Sequence, residues 1–299
     1  MDLQIKPGTY VLAVSGGVDS MTLLHAAAEY SSEHADVQLI VAHFDHGIRN
    51  DSHEDRILVQ QAAKHLGLPF EYSEGKLGPN ASEAEARAAR YKFLDDVKKM
   101  HHASAIMTAH HRDDVLETAV LNLRRGTHRR GLTSLRSTEE VVRPFLDVSK
   151  KEIVTYAKAH NVKWREDSTN ADTRLQRNHV RQEVLTHLSA VERVEVNEQL
   201  KRLAQINYEL DAKLIEYLQT NHEKNQLNRE RFNLLPDDVA IEVMAAWLRQ
   251  NDLRNYDTKA LKRLVSGCKN LNTGSKINVY KNWYVGVKRN HLALTTFDR

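Results

Sequence analysis

Residues 10–20 read YVLAVSGGVDS, and this stretch decides the fold class. Its first five residues are apolar and predict a short, buried β-strand. Residues 21–30, which follow it, predict a helix. Two glycines stand between these elements, where they let a backbone approach a ligand without Cβ clashes. We therefore expect a strand, a glycine turn and a helix whose first amides are free to bind an anion.

The same alternation continues along the first 190 residues. Further buried strands are predicted at 37–44, 70–73 and 105–109. Helices are predicted at 52–66, 82–100 and 113–123, and capping boxes open the helices that start at Ser82 and Ser149. Such alternation predicts an α/β fold with a doubly wound, mostly parallel sheet and ligands at the carboxyl ends of the strands.

The pattern changes near residue 190. Apolar residues from Val194 to Leu218 then recur with the helical period and predict one long amphipathic helix, followed by two shorter ones. The stretch 276–295 alternates with period 2 and predicts a terminal β-hairpin. We expect a catalytic domain at 1–190 and a second, mainly helical domain ending in a hairpin at 191–299.

Composition excludes several classes of protein. The 12 glycines and 5 prolines are about 6% of the chain, against about 12% on average, which argues against collagen-like and loop-rich all-β designs. The single cysteine, Cys268, excludes a disulfide framework, a Cys-rich zinc site and a CxxC redox pair. The N-terminus lacks the apolar core of an export signal, and no run of 18 apolar residues occurs, so we expect a cytoplasmic protein that makes no membrane contact.

The hexapeptide at 15–20 has the make-up of a phosphate-binding loop, because hydroxyls and free amides at a helix N-terminus bind anions. An ordinary glycine turn is the alternative. The loop is not a Walker A motif, since the chain contains no GxxxxGK[ST]. The candidate phosphate-binding residues here are Ser15, Gly16, Gly17, Val18, Asp19 and Ser20.

Three carboxylates gather after the fourth predicted strand. Asp113 and Asp114 lie four and three residues before Glu117, so all three share one helix face. They repel one another unless a cation sits among them. The alternative is that acids at a helix N-terminus only cap it and complement its dipole. The neighbouring His110 and His111 point to opposite faces of a strand and make a poor metal-ligand pair.

A basic stripe follows the acidic cluster. Residues 122–136, NLRRGTHRRGLTSLR, carry five arginines and no acid. Beside a nucleotide site, such a stripe predicts binding to a nucleic-acid phosphate backbone, with a solvated basic loop as the alternative. The candidate RNA-binding residues are Arg124, Arg125, Arg129, Arg130, Arg165, Arg177 and Arg181.

The string SGGVDS, with a strand before it and a helix after it, resembles the PP-loop of the ATP pyrophosphatases. Further segments resemble, in order and spacing, the signature segments of the tRNA(Ile)-lysidine synthetases. The resemblance is strong over about residues 10–185 and weaker in the helical region and the hairpin. In length, the chain resembles the short family members, which do not have an additional C-terminal domain. Family members commonly have a glycine-rich stretch where this chain has Thr127-His128-Arg129-Arg130. The matching segments are HFDHGIR (43–49), ARAARY (86–91), TAHHRDDVLET (108–118), REDSTN (165–170) and RNHVR (177–181).

The resemblance implies a two-step ligation. ATP adenylates the wobble cytidine of tRNA(Ile) with a CAU anticodon, pyrophosphate leaves, and lysine then displaces AMP to form lysidine. It implies that Asp113, Asp114 and Glu117 hold L-lysine, and that Arg90, His43 and His46 contact ATP or the substrate nucleotide. We expect Asp19 to orient Mg²⁺, because hard cations take carboxylate oxygens.

Other classes of function stay open at this point. One is another PP-loop ligase or a tRNA thiolase, although Cys268 lies far from the motifs. Another is a non-catalytic ATP- or tRNA-binding module that kept the fold. The acidic trio argues against it, because such a module needs no lysine pocket. A homodimer is an open alternative to a monomer.

Overall fold

The computed structural model describes residues 1, 3–47, 52–75, 78, 81–166, 179–221, 225–254 and 256–296. Contacts divide the chain into two compact units, Met1–Leu200 and Lys201–Arg299. The division falls inside one long helix, and the domain boundary expected near residue 190 lies at the start of that same helix. Among the described residues, no helix has both the length and the apolar character needed to cross a membrane.

Strands and helices alternate along the amino-terminal unit, as the sequence predicts. This unit also contains a π-helical turn (Val180–Val184) and a 3-10 turn (Leu185–His187). The other elements are β1 (Gly8–Ala13), α1 (Val18–Glu33), β2 (Val37–Asp45), α2 (Ser52–His65), β3 (Phe70–Glu74), α3 (Glu83–Met100), β4 (Ala105–Met107), α4 (Arg112–Arg124), α5 (Arg129–Leu132), β5 (Val141–Val142) and α6 (Lys150–Ala159).

The five strands form one parallel sheet in the order β3-β2-β1-β4-β5, and helices cover both of its faces. Alternate residues of β1 point to opposite faces, as strand geometry requires. Val11 joins an apolar cluster with Leu94 of α3. Leu12 joins the opposite cluster with Leu23 of α1 and Ile153 of α6. The predicted doubly wound α/β fold is therefore confirmed.

Local signals fixed several helix starts. The Ser82 side chain accepts a hydrogen bond from the Glu85 amide and begins α3, and Ser149 with Glu152 begins α6 in the same way. Strand β4 ends at Met107, two residues before its predicted end. The sequence analysis missed β5, whose two residues pair in parallel with Ile106 and Met107.

The carboxyl-terminal unit has its own core around the fully buried Trp247. The stretch predicted to be a hairpin forms three strands, and a fourth strand near residue 226 completes an antiparallel sheet in the order β6-β9-β8-β7. The elements from the long helix onward are α7 (Ala190–Asn221), β6 (Gln226–Asn228), α8 (Arg229–Asn233), α9 (Asp237–Gln250), α10 (Thr258–Asn270), β7 (Lys276–Tyr280), β8 (Trp283–Val287) and β9 (His291–Thr296).

Candidate functional site

The SGGVDS loop lies between the end of β1 and the start of α1. Its residues bond to one another: the Ser15 amide donates to Ser20 Oγ (3.1 Å), and Ser20 Oγ donates to the Gly17 carbonyl (3.0 Å). Gly17 is the N-cap of α1 and makes no side-chain capping hydrogen bond. Backbone amides and hydroxyls at such a start form an anion cradle.

Gly16 holds the loop in a conformation that only glycine adopts readily. Its φ is +96°, in the left-handed region. A Cβ there would also lie 3.2 Å from the Cβ of Asp55 on α2. The Arg165 amide donates to the Gly16 carbonyl (3.0 Å), so two distant segments bracket this residue.

Asp19, in the first turn of α1, has two charged or polar neighbours from distant parts of the chain. Lys150 Nζ lies 2.6 Å from its Oδ1. His111 Nε2 lies 3.9 Å from its Oδ2. Over the described part of the chain, no three His, Cys, Asp or Glu side chains gather into a group that could hold a metal ion. Asp19 thus contributes a carboxylate that is already paired with Lys150 at the start of the helix.

His43 and His46 lie on and just after β2. The buried His43 donates from Nδ1 to the carbonyl of Val14 (2.8 Å), immediately before the loop, and burial lowers its pKa. Burial also lowers the pKa of His46, and the nearby charge of Arg90 adds to this effect. His46 Nδ1 is buried without a hydrogen-bond partner. Burial thus favours the neutral form of both rings, and His43 supports the loop while His46 lies within the field of Arg90.

Asp113, Asp114 and Glu117 share one face of α4, as their spacing predicts, but two arginines already pair with them. Arg181 Nε donates to Glu117 Oε1 (2.6 Å), and Arg181 Nη2 lies 3.6 Å from Asp114 Oδ1. Arg193 Nη1 lies 3.5 Å from Asp113 Oδ1. Among the described residues, three carboxylates of α4 therefore meet two guanidinium groups.

Glu117 is the most deeply placed of the three acids, with 1% of its side chain exposed. Burial raises its pKa, and the hydrogen bond and charge of Arg181 oppose the rise. Burial lowers the pKa of Arg181, but its contact with Glu117 outweighs that effect and raises the pKa overall. Glu117 Oε2 is buried and has no hydrogen-bond partner among the described residues, which leaves this oxygen as an acceptor there.

His111 links the acidic cluster to the loop. Its amide donates to Asp114 Oδ2 (2.9 Å) and so takes part in the cap of α4. Its Nε2 lies 3.6 Å from Asp114 Oδ2, on the same ring that approaches Asp19. His110 instead bonds to Thr108 Oγ1 through Nδ1 (2.8 Å). The two histidines therefore make separate contacts.

The arginines expected to bind RNA fall into three groups. Arg124 and Arg125 are exposed at the end of α4, and Arg129 and Arg130 are half-buried on α5. Arg165 pairs with Glu54 (2.9 Å) and Asp55 (3.5 Å), against the loop. Arg181 lies in the acidic cluster, and Arg177 lies outside the described residues. The basic stripe on α4–α5 is therefore separate from Arg165 and Arg181, which bracket the candidate site.

The unusual Thr127–Arg130 segment has a defined conformation. Thr127 Oγ1 donates to the Asn122 carbonyl (3.0 Å), and Asn122 Nδ2 donates to the Gly131 carbonyl (2.7 Å). A Cβ at Gly131 would overlap the Thr127 side chain. Gly131 therefore leaves the space that the Thr127 side chain occupies.

Residues 3–188 match the PP-loop domain family. The chain belongs to this family. The fold agrees with a solved structure, the U34-tRNA thiolase of Methanococcus maripaludis, with a TM-score of 0.56 at 16% identity over 67% of this chain and 74% of that one. At that identity the likeness concerns the fold alone.

Several tRNA(Ile)-lysidine synthases are similar in sequence to this PP-loop protein. The protein from Exiguobacterium sibiricum is 33% identical over 86% of this chain and 62% of its own length. The one from Thermotoga maritima is 39% identical over 60% of this chain and 45% of its own length. The chain thus spans less than two thirds of these relatives. One from Francisella tularensis is 28% identical over 97% of this chain and 74% of its own length. The resemblance seen in the motifs is confirmed.

Three residues of this PP-loop site are not indicated as site residues by the sequence around them. Lys150 lies within a capping box and Asp55 lies at the capping-box distance from Ser52, whereas Arg193 belongs to no motif. Each meets the site through the packing of a distant helix, so no local spacing could have pointed to it. The one signal in the sequence is the excess of arginines that follows the acidic cluster, which indicates that cations are available to pair with its carboxylates.

Proposed function

We propose that this chain ligates lysine to C2 of the wobble cytidine in the CAU anticodon of tRNA(Ile). The observation that carries the proposal is that the anion cradle and the acidic cluster adjoin. His111 Nε2 lies 3.9 Å from Asp19 in the loop and 3.6 Å from Asp114 in the cluster. A nucleotide phosphate and a cationic amino acid bound at these two places would be neighbours. The lysidine synthase relatives support the same conclusion.

The first step uses the loop. Its amides and the Ser15 and Ser20 hydroxyls bind ATP phosphates, which positions the α-phosphorus for attack by the C2 carbonyl oxygen of cytidine. The oxygen–phosphorus bond forms as the bond to pyrophosphate breaks, and the leaving pyrophosphate takes the electron pair. One carboxylate plus phosphate oxygens is a donor set that suits Mg²⁺, so Asp19 fits this ion. When bound, Mg²⁺ neutralises phosphate charge.

The second step uses the acidic cluster. Lysine brings an ammonium group to a site where, in the described part of the chain, three carboxylates meet two arginines. Glu117 Oε2, which has no hydrogen-bond partner among those residues, is a suitable acceptor for it. The ε-amine attacks C2 of the adenylated cytidine, and the C2–O bond breaks with release of AMP. An ε-ammonium ordinarily has a pKa near about 10.4, so this amine must lose a proton before it attacks.

The RNA reaches this edge of the sheet through the basic stripe. Arg124, Arg125, Arg129 and Arg130 supply positive charge for phosphate-backbone contacts. The wobble base has to leave the anticodon stack to reach the loop, as single-stranded bases do in RNA recognition. The cytoplasm supplies all three substrates, and we propose that the chain acts there.

Incorporation of labelled lysine into RNA tests this function. Purified chain, ATP and Mg²⁺ are incubated with a tRNA(Ile) transcript that carries a CAU anticodon, and in parallel with the same transcript carrying GAU. We expect ATP-dependent incorporation into the first only. Asp19→Ala should abolish it, whereas Glu33→Ala, at the exposed far end of the same helix, should not.

Two results would favour the other candidates. Transfer of sulfur instead of lysine would identify a thiolase. Binding of ATP and tRNA with no AMP release in the presence of lysine would identify a binding module. Either result refutes the proposed ligation.

A further inference from the structure

Lys150 is the first residue of α6, and its position at the loop is fixed by packing. The Ser149 cap sets the start of the helix. Ile153 and Tyr156, on the next turns, join the same apolar cluster as Leu23 and Leu24 of α1. The helix that carries Lys150 is therefore anchored to the helix that begins with the loop.

The ammonium group of Lys150 lies inside the phosphate-binding region. Its Nζ is 2.6 Å from Asp19 Oδ1, while 40% of the lysine side chain and 31% of the aspartate side chain remain exposed. The contact joins residues 131 positions apart. It is thus a partly open ion pair, accessible to a ligand that enters the cradle.

The loop itself contains no cation. A Walker A loop supplies a lysine that reaches the β- and γ-phosphates, and SGGVDS has only glycines, hydroxyls, one valine and one carboxylate. Two other cations nearby are committed to acids: Arg165 to Glu54 and Asp55, and Arg181 to Glu117 and Asp114. Lys150 is paired with Asp19, which belongs to the phosphate site itself.

We propose that Lys150 binds the β- and γ-phosphates of ATP and stabilises the departing pyrophosphate. The inference rests on the proposed use of ATP at this loop. An ammonium group has three donors, so Lys150 can keep its bond to Asp19 and still donate to phosphate oxygens. As the bond between the α-phosphorus and the bridging oxygen breaks, negative charge grows on that oxygen, and a fixed cation there lowers the barrier.

Binding of inorganic pyrophosphate, ATP and AMP tests this role directly. Isothermal titration calorimetry would compare the wild type with Lys150→Met, which keeps the length of the side chain and removes its charge. We expect the Kd of pyrophosphate and of ATP to rise about tenfold or more, as for the loss of one charge-assisted hydrogen bond. AMP lacks the β- and γ-phosphates, so its Kd should change less than about twofold, far less than the loss of one such bond would cause. Lys151→Met is the matched control, since Lys151 is the exposed next residue of the same helix, and it should change none of the three.

A double-mutant cycle separates phosphate binding from a purely supporting role toward Asp19. If Lys150 acted only through Asp19, Lys150→Met would have no further effect in an Asp19→Asn background. The proposal requires the same loss of pyrophosphate affinity in that background, measured without Mg²⁺. Lys150→Gln provides a second variant, and melting temperatures verify that each variant is folded.

The outcomes are distinct. If the wild type binds neither ATP nor pyrophosphate, the proposed function fails and this inference fails with it. If the wild type binds both and Lys150→Met and Lys150→Gln bind them equally well, only the role of Lys150 is refuted. If AMP affinity falls as much as ATP affinity, the lysine does not act on the β- and γ-phosphates.

Discussion

Replacing Arg181 by methionine should destabilise the amino-terminal unit by an amount that grows with pH. Arg181 donates a 2.6 Å hydrogen bond to Glu117, whose side chain is 1% exposed. Burial raises the pKa of Glu117 and Arg181 holds that rise in check. Without the guanidinium, the pKa of this carboxyl rises further, because nothing else offsets its burial to the same degree.

The size of the effect follows from the geometry. Removing one partner from a fully buried ion pair costs about 3–5 kcal/mol. Losing a hydrogen bond to a charged group costs about 1.5–3 kcal/mol. Because 46% of the Arg181 side chain is exposed, water replaces part of the contact, and we expect about 2 kcal/mol at neutral pH.

The pH dependence has a definite sign. A carboxyl whose pKa is higher in the folded state than in the unfolded state imposes no penalty while both states are protonated. Stability then falls as pH rises from the unfolded toward the folded pKa, because the unfolded state releases its proton first. The difference between wild type and Arg181→Met should therefore be small at pH 5 and larger at pH 8.

Urea unfolding at pH 5, 6, 7 and 8, read by pulse-labelled hydrogen exchange in peptides of α4, measures this difference in the amino-terminal unit alone. Arg124→Met, at the exposed end of the same helix, is the control and should stay within about 0.5 kcal/mol of wild type. Adding Glu117→Gln to Arg181→Met should remove the extra pH dependence. An equal loss at pH 5 and pH 8, or a pH dependence that survives Glu117→Gln, would refute the reasoning.

Three further predictions concern binding. Glu117→Gln should raise KM for lysine by about tenfold or more and leave adenylation intact, since a charge-assisted bond is lost only in the second step. Single-turnover assays with a lysine chase measure both steps, and an unchanged KM would contradict a lysine site at Glu117. Arg129→Ala with Arg130→Ala should weaken tRNA binding without altering ATP affinity and lower the slope of log K against log salt by about 0.7–0.9 per lost contact, measured by filter binding. Gly16→Ala should raise the Kd of ATP and lower stability by about 1–3 kcal/mol, because φ is +96° there. Gly67→Ala is the control: its φ is also positive, at +66°, but it lies away from the loop, so it should lower stability and leave the Kd of ATP unchanged. Calorimetry measures both quantities.

Most helices of the amino-terminal unit were predictable because their signals are local. Capping boxes at Ser82 and Ser149 and apolar periodicity fixed where α3 and α6 begin. Strand β5 was not predictable, since two residues carry no period and β5 exists only by pairing with β4. The terminal hairpin was predictable from its alternation and is confirmed by the antiparallel pairing of β7, β8 and β9. Strand β6 was not predictable, because it joins β9 from about 65 residues earlier in the chain, a contact that alternation within one segment does not encode.

The candidate site divides along the same line. Sequence alone determined the SGGVDS loop and the acidic face of Asp113, Asp114 and Glu117, because each is built from neighbours within one turn or one helix. Only the tertiary structure decided which cations meet them: Lys150 at Asp19, Arg181 at Glu117 and Arg193 at Asp113. Periodicity specifies which face of a helix is apolar, but not which helix covers it. The ion pairs therefore depend on how α6, α7 and the π-helical turn at Val180–Val184 pack against α1 and α4. Local sequence patterns do not contain that information.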